Sequence, residues 1–139
     1  MSSVTLPDIL KLSDTTFEPD PAQDIRGRKA VDSQGNDLGV IDELMIDDSE
    51  KKVRFIRVAT GGFLGMGKAK FLIPVDAIVK VTKDRVSISH DREKVATAPV
   101  YDPNLVNEAY YNRLYGYYGY PAFWQAGYMY PTYPYYVAR

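Results

Sequence analysis

From Arg26 to Ser89 the chain alternates short runs rich in Val and Ile with clusters of Gly, Asp, Asn, Ser or Pro. The runs are too short for helices of ordinary length, and β-branched residues suit a pleated surface. RGRKAVD (26–32) reads as a first strand, and Asp32 to Asp37 as a turn where Gly35 or Asn36 takes positive φ at little cost. DLGVIDELMID (37–47) is a second strand. Its Leu38, Val40, Leu44 and Ile46 share one parity, Ile41 and Met45 break it, and a bulge near Asp42–Glu43 reconciles the two sets. KKVRFIRVAT (51–60) is a third strand, KFLIPVDAIVKV (70–81) supplies two more bent at Pro74–Asp76, and RVSIS (85–89) is the last. Six strands in about 65 residues, with turn signals about every eight to twelve, predict a sandwich or a barrel. So small a set barely covers two sheets, whereas closing one sheet removes its exposed edges. The expected fold class is all-β, a small six-stranded β-barrel with a short helix and an aromatic C-terminal tail.

Three segments follow from the composition: a leader (1–23), the barrel (24–99), and a short helix with a Tyr/Gly/Pro-rich tail (100–139). In the leader, LPDILKL is expected as a turn of helix packed on the barrel or as a loosely docked segment. All twelve tyrosines lie at or after Tyr101, and no charged side chain occurs between Gly116 and Ala138. Asp91 is placed to cap a helical turn, and Asn104 to cap a second helix ending at Gly116 or Gly119. Beyond it, the aromatic residues admit three readings. They are a disordered low-complexity tail, an arm packed on its own barrel or on a partner, or a platform for bases or sugars.

Apolar content of 45% suffices for a core, and a net charge of −1 gives no overall reason to bind nucleic acid or anionic lipid. Cysteine is absent, which excludes disulfides and thiolate zinc sites. The N-terminal residues lack a basic-then-apolar leader, and no stretch approaches the roughly 18 apolar residues needed to span a bilayer. A cytoplasmic protein with no membrane span is expected.

GFLGMGKA (62–69) satisfies the GxxxxGK opening of a phosphate-binding loop. However, Ala69 stands where Ser or Thr holds magnesium, and the next residues read as a strand instead of the required helix. The loop is better read as a hairpin connection. Its Phe63, Leu64 and Met66 either form an apolar contact surface or fold back on the barrel. His90 is the only histidine and reads as a strand-end or cap residue. The acids Asp42, Glu43, Asp47, Asp48 and Glu50 lack calcium-loop spacing and read as solvated turns. Arg26, Arg28, Lys29, Lys51, Lys52, Arg54 and Arg57 form local positive patches with acids nearby, so a solvated strand face is expected.

The barrel segment resembles the PRC-barrel family, shared by the cytoplasmic part of the photosynthetic reaction-centre H subunit and by the ribosome maturation factor RimM. The residues carrying the resemblance begin with Ile25-Arg26-Gly27-Arg28, Val31-Asp32, Gly35 and Leu38-Gly39-Val40-Ile41-Asp42. They continue with Val53-Arg54-Phe55, the Gly61-to-Gly65 loop and Leu72-Ile73-Pro74-Val75-Asp76-Ala77-Ile78. The resemblance spans roughly residues 24 to 95, and the remainder is similar to a bacterial or archaeal stand-alone subgroup. It implies a six-stranded barrel used as a protein-interaction and assembly module, without enzymatic activity or cofactor, and often dimeric. The chain lacks the second barrel of the ribosome factor and the membrane helix of the reaction-centre subunit, so neither role transfers.

The expected function is therefore a non-catalytic, self-associating interaction module, a homodimer with protein partners of unknown identity. The alternative is an RNA- or ribosome-associated factor using Arg54 and Arg57. The candidate interaction surface comprises Phe63, Leu64, Met66, Tyr115, Tyr117, Tyr118, Tyr120, Phe123 and Trp124. No catalytic, cofactor-binding or metal-binding residue is expected.

Overall fold

The computed structural model describes residues 8–19, 21–60, 69–104 and 106–131. Its organising element is β3 (Asp37–Asp47), eleven residues long and therefore able to serve several neighbours. β2 (Lys29–Val31) pairs antiparallel with its N-terminal part, β1 (Ile9–Lys11) with its C-terminal end, and β4 (Val53–Ala59) along its other edge. β5 (Lys70–Pro74) extends the sheet beyond β4. On the other side β7 (Arg85–Ile88) lies parallel to β2, and β6 (Ile78–Val81) closes the row antiparallel to β7. The order is β5-β4-β3-β2-β7-β6, with β1 attached to β3 off this path.

This corrects the expected six-stranded closed barrel: the described residues form one open sheet of seven strands. The added strand is β1, where the leader was expected to be a helical turn or a loose segment. β2 covers β3 only as far as Val40, which leaves the outer edge of residues 45–47 free for β1. A 3-10 turn at Leu12–Asp14 follows and buries Leu12. β5 and β6, the two ends of this path, are consecutive in the chain and joined by the 3-10 turn Val75–Ala77 directly after Pro74.

Two bulges shape the β3–β4 pair. Ile41 faces Val58 while Glu43 faces Arg57, so Asp42 is the extra residue, as the broken alternation predicts. Met45 faces Phe55 while Ile46 faces Val53, which makes Arg54 the extra residue on β4. Both bulges re-aim a charged side chain. At Gly39, φ is +132° and an added Cβ would stand 2.3 Å from the Ala59 carbonyl oxygen. Only glycine permits β3 and β4 to approach so closely.

From Glu43 to Asp47 every residue of β3 is buried, and so is every residue of β5 after Lys70. Alternation fails there because both faces of the sheet are covered. The second cover is α2 (Glu108–Tyr118), whose Tyr110, Tyr111, Leu114, Tyr115 and Tyr118 form one buried stripe at helical spacing. Tyr111 and Tyr115 each lie 5.2 Å, ring to ring, from Phe55 of β4. Asn107 caps this helix by accepting the Tyr110 N–H at 2.9 Å, in place of the expected Asn104. Asn104 instead donates its N–H to the Asp102 carboxylate in the Asp-Pro-Asn turn. Gly119 ends the helix in the left-handed region at φ 86°. α1 (Arg92–Ala96) is capped by Asp91 as expected.

Gly39→Ala is expected to cost about 2 kcal/mol or more, since it adds both strain and a backbone clash. Urea denaturation would measure this, and a loss within the scatter of surface substitutions would contradict the reading. Burial drives the hydroxyl pKa of Tyr110, Tyr111, Tyr115 and Tyr118 well above the ordinary value of 10. Above pH 10 the unfolded chain therefore releases protons that the folded chain retains, so stability falls as pH rises. The slope is about 1.4 kcal/mol per pH unit for each buried tyrosine such as Tyr115. Tyrosinate absorbance in an alkaline titration should show a late step coincident with unfolding. A single smooth step at ordinary tyrosine pH, with structure retained, would contradict it.

Candidate interaction surface

Tyr115 and Tyr118, expected as surface residues, are 1% and 3% exposed and belong to the chain's own core. Tyr117, Tyr120, Phe123 and Trp124 are half-buried, and each packs or bonds within its own chain. The Tyr117 hydroxyl donates to the Lys94 carbonyl at 2.6 Å and bonds Thr97 Oγ1, while Lys94 Nζ lies 4.1 Å over its ring. The Tyr120 hydroxyl and Ser89 Oγ are 2.9 Å apart. Trp124 meets Phe123 and Tyr115 edge-on. Among the three readings of the tail, residues up to Pro131 follow that of an arm on the chain's own sheet. Phe63, Leu64 and Met66 lie outside the described residues.

Arg54 draws the tail down. Its guanidinium is 3% exposed and its Nε donates to Asp47 Oδ2, which is fully buried, at 2.7 Å. Its Nη2 donates to Glu50 at the same distance. The Phe123 and Tyr130 rings lie 4.2 and 5.2 Å from the guanidinium carbon, within cation–π range. The Tyr130 hydroxyl donates to the Val53 carbonyl, and the Tyr128 hydroxyl to Asp76 Oδ2 at 2.9 Å. Burial raises the Asp76 pKa above its ordinary value, and the Tyr128 hydrogen bond only moderates this.

Several other acids and bases singled out from the sequence are also held internally. Arg57 Nε donates to Asp42 Oδ1 at 2.8 Å, and Lys70 Nζ pairs with Asp42 Oδ2 at 2.9 Å. Burial opposes ionisation of Asp42, but these two cations outweigh it and hold the carboxyl below its ordinary pKa. Glu43, 4% exposed, accepts from the Ser13 N–H and hydroxyl and from the Leu44 N–H. His90, expected as a strand-end or cap residue, follows β7 and reaches α2: Nδ1 lies 3.1 Å from Ser89 Oγ and Nε2 3.1 Å from the Tyr118 carbonyl. Ala69 is followed directly by β5, so the GxxxxGK segment leads into a strand, as expected. A cleft of about 400 Å³ between β1 and residues 101–111 contains Asp8 and Asp14, both exposed. Among the described residues, no group of three or more His, Asp or Glu is placed to hold a metal. No helix there is long and apolar enough to cross a membrane.

The outward face of β2, β7 and β6 was not anticipated. Helix α2 and the tail cover the β3–β4–β5 flank, whereas among the described residues no helix or tail segment lies over this one. Lys29 and Arg85 stand side by side on paired strands, Lys80 opposes Ser87, and Lys83 lies in the adjoining turn. These four cations are exposed and form no ion pair among the described residues. Lys29 faces Val40, which is 42% exposed, and Val79 on β6 is 55% exposed. Neighbouring strands bring Lys29 and Arg85 together across more than fifty residues of chain, which local patterning does not register.

Removing one partner of the buried ion pair strands the other charge. Arg54→Ala is expected to cost about 3–5 kcal/mol. It should also increase the fluorescence quenching of Trp124 by iodide as the tail loosens. An unchanged denaturation midpoint would contradict the role given to Arg54.

No curated protein matches the chain in sequence. Comparison with protein-family profiles matches residues 20–95 to the PRC-barrel domain, more than half of the chain. The match runs from ahead of β2 through β7 into α1, and leaves β1, α2 and the aromatic tail outside it. With a strand order and bulged β3–β4 pair built from the residues that carry the resemblance, the chain belongs to the PRC-barrel domain family.

Proposed function

We propose that the chain is a non-catalytic protein-interaction and assembly module that associates with its own copies. The observation that carries this reading is the engagement of its reactive side chains. Arg54, Arg57, Asp42, Glu43, Asp47 and His90 are each bound to another part of the chain, where they position strands and the tail. Membership of the PRC-barrel family supports it. The contact is assigned to the Gly61–Gly67 loop with Phe63, Leu64 and Met66. The half-buried rims of Tyr117, Tyr120, Phe123 and Trp124 extend it. Tyr115 and Tyr118 are not part of it, because they are enclosed by their own chain. The RNA-binding alternative depends on Arg54 and Arg57, and both are ion-paired beneath or beside aromatic rings.

Sedimentation at micromolar concentration is expected to give twice the chain mass for the wild type. The triple variant Phe63→Ser, Leu64→Ser, Met66→Ser should sediment as a monomer with an unchanged unfolding midpoint. A monomeric wild type that also retains no protein from a lysate would overturn the proposal. Salt-sensitive RNA binding by the intact chain would favour the alternative.

A further inference from the structure

β6 ends the sheet path, and its outer edge carries no strand among the described residues. Among the described residues, the backbone hydrogen bonds around Ile78–Val81 run toward β7. The opposite end is treated differently: β5 closes on Pro74, and its Lys70 carbonyl accepts the Tyr101 N–H at 3.2 Å. Across the face of β2, β7 and β6, inward of the β6 edge, runs a groove of about 310 Å³, lined among others by Val31, Asp32, Val79, Lys80, Arg85 and Ser87. Among the described residues its cations Lys80 and Arg85 form no ion pair, nor do Lys29 and Lys83 nearby. Ile78 faces Ile88 while Lys80 faces Ser87, so Val79 is the extra residue of a bulge and stands out from the surface.

Bulges and lysines normally protect an edge strand from apolar strands. Here they select rather than exclude, because Lys80 and Arg85 attract a strand that carries acids. We propose that the β6 edge takes an extended segment of another protein, added as a further strand, in which Asp or Glu alternates with apolar residues. The period of two turns the acids toward Lys80 and Arg85 on the outward face. It turns the apolar residues toward the side where Ile78 and Val81 are buried. Charge complementarity favours this occupant over a nucleic acid. The groove is lined by no aromatic ring on which a base could stack, and the net charge of −1 provides no long-range attraction for a polyanion. The inference rests on the reading of the chain as an interaction module and assigns a second surface to it, distinct from the self-association contact.

The test uses the full chain and three probes: a peptide alternating Glu and Val, a scrambled peptide of the same composition, and polyuridylate RNA. The alternating peptide should bind, slow amide exchange at Val79 and Lys80, and lose about 10-fold in affinity with Lys80→Glu plus Arg85→Glu. Lys80→Ala plus Arg85→Ala should weaken it less, and neither pair should lower the unfolding midpoint. No binding at about 1 mM peptide, equal binding of the scrambled peptide, or stronger binding of the RNA would each overturn it. Sedimentation of the same variants separates the two readings. If the peptide fails while the wild type remains a dimer, only the β6 site is lost. A wild type that neither dimerises nor binds any probe removes the module reading as well.

Discussion

A guanidinium and a carboxylate buried together at Arg54 and Asp47 set the terms for the rest of the structure. Taking both from water costs several kcal/mol per ion, and mutual attraction repays it only with good geometry and further hydrogen bonds. The bulge on β4 supplies the geometry by aiming Arg54 back at the end of β3. Asp47 Oδ1 accepts the Glu50 N–H, which shapes the turn that brings β4 alongside, and Glu50 accepts from Arg54 in return. The faces of Phe123 and Tyr130 complete the enclosure. Strand, turn and tail are thus coupled through one side chain. The tail shields a charge that the sheet could not bury alone, and the charge gives an otherwise uncharged segment a fixed place to dock.

This coupling divides the sheet into two flanks. Over β3, β4 and β5, α2 and the tail bury the second face, and the charged side chains Asp42, Asp47, Arg54 and Arg57 are paired there. Over β2, β7 and β6 there is no such cover among the described residues, and lysines and small hydroxyl residues face outward. The family match covers the strands of both flanks, whereas α2 and the tail lie beyond it. The cover therefore lies outside the matched domain, and it determines which face of the sheet stays exposed among the described residues.

Local patterning predicted features whose causes are local. The parity break in residues 37–47 located the Asp42 bulge, and Asp91 followed by a short polar-apolar run located the α1 cap. What it missed depends on distant cover. Arg54 lies among Asp47, Asp48, Glu50 and Lys52, which in sequence looks like a solvated turn. Its burial is decided by rings some seventy residues later. β1 has only three residues and includes a lysine, so it carries no strand signal without the free edge of β3. Tyrosine itself is ambiguous, since its ring suits a core and its hydroxyl suits water. That is why Tyr115 and Tyr118 were assigned to the surface although their helical spacing with Tyr111 and Leu114 marks a buried stripe.

The near-zero net charge conceals a segregation that bears on recognition. Arg26, Arg54, Arg57, Lys11, Lys51, Lys52 and Lys70 all have carboxylate partners, and all serve the β1–β3–β4–β5 side. Lys29, Lys80, Lys83 and Arg85 lie on the strands and turn at the other end, with Asp84 the acid between two of them. Paired charges in a folded chain contribute little field beyond their own contacts, whereas unpaired ones act over about a Debye length of 8 Å at physiological salt. The β2–β7–β6 end thus presents a local basic face on a protein whose average charge is slightly negative. Such a face discriminates by contact at short range and gives extended polyanions little long-range attraction.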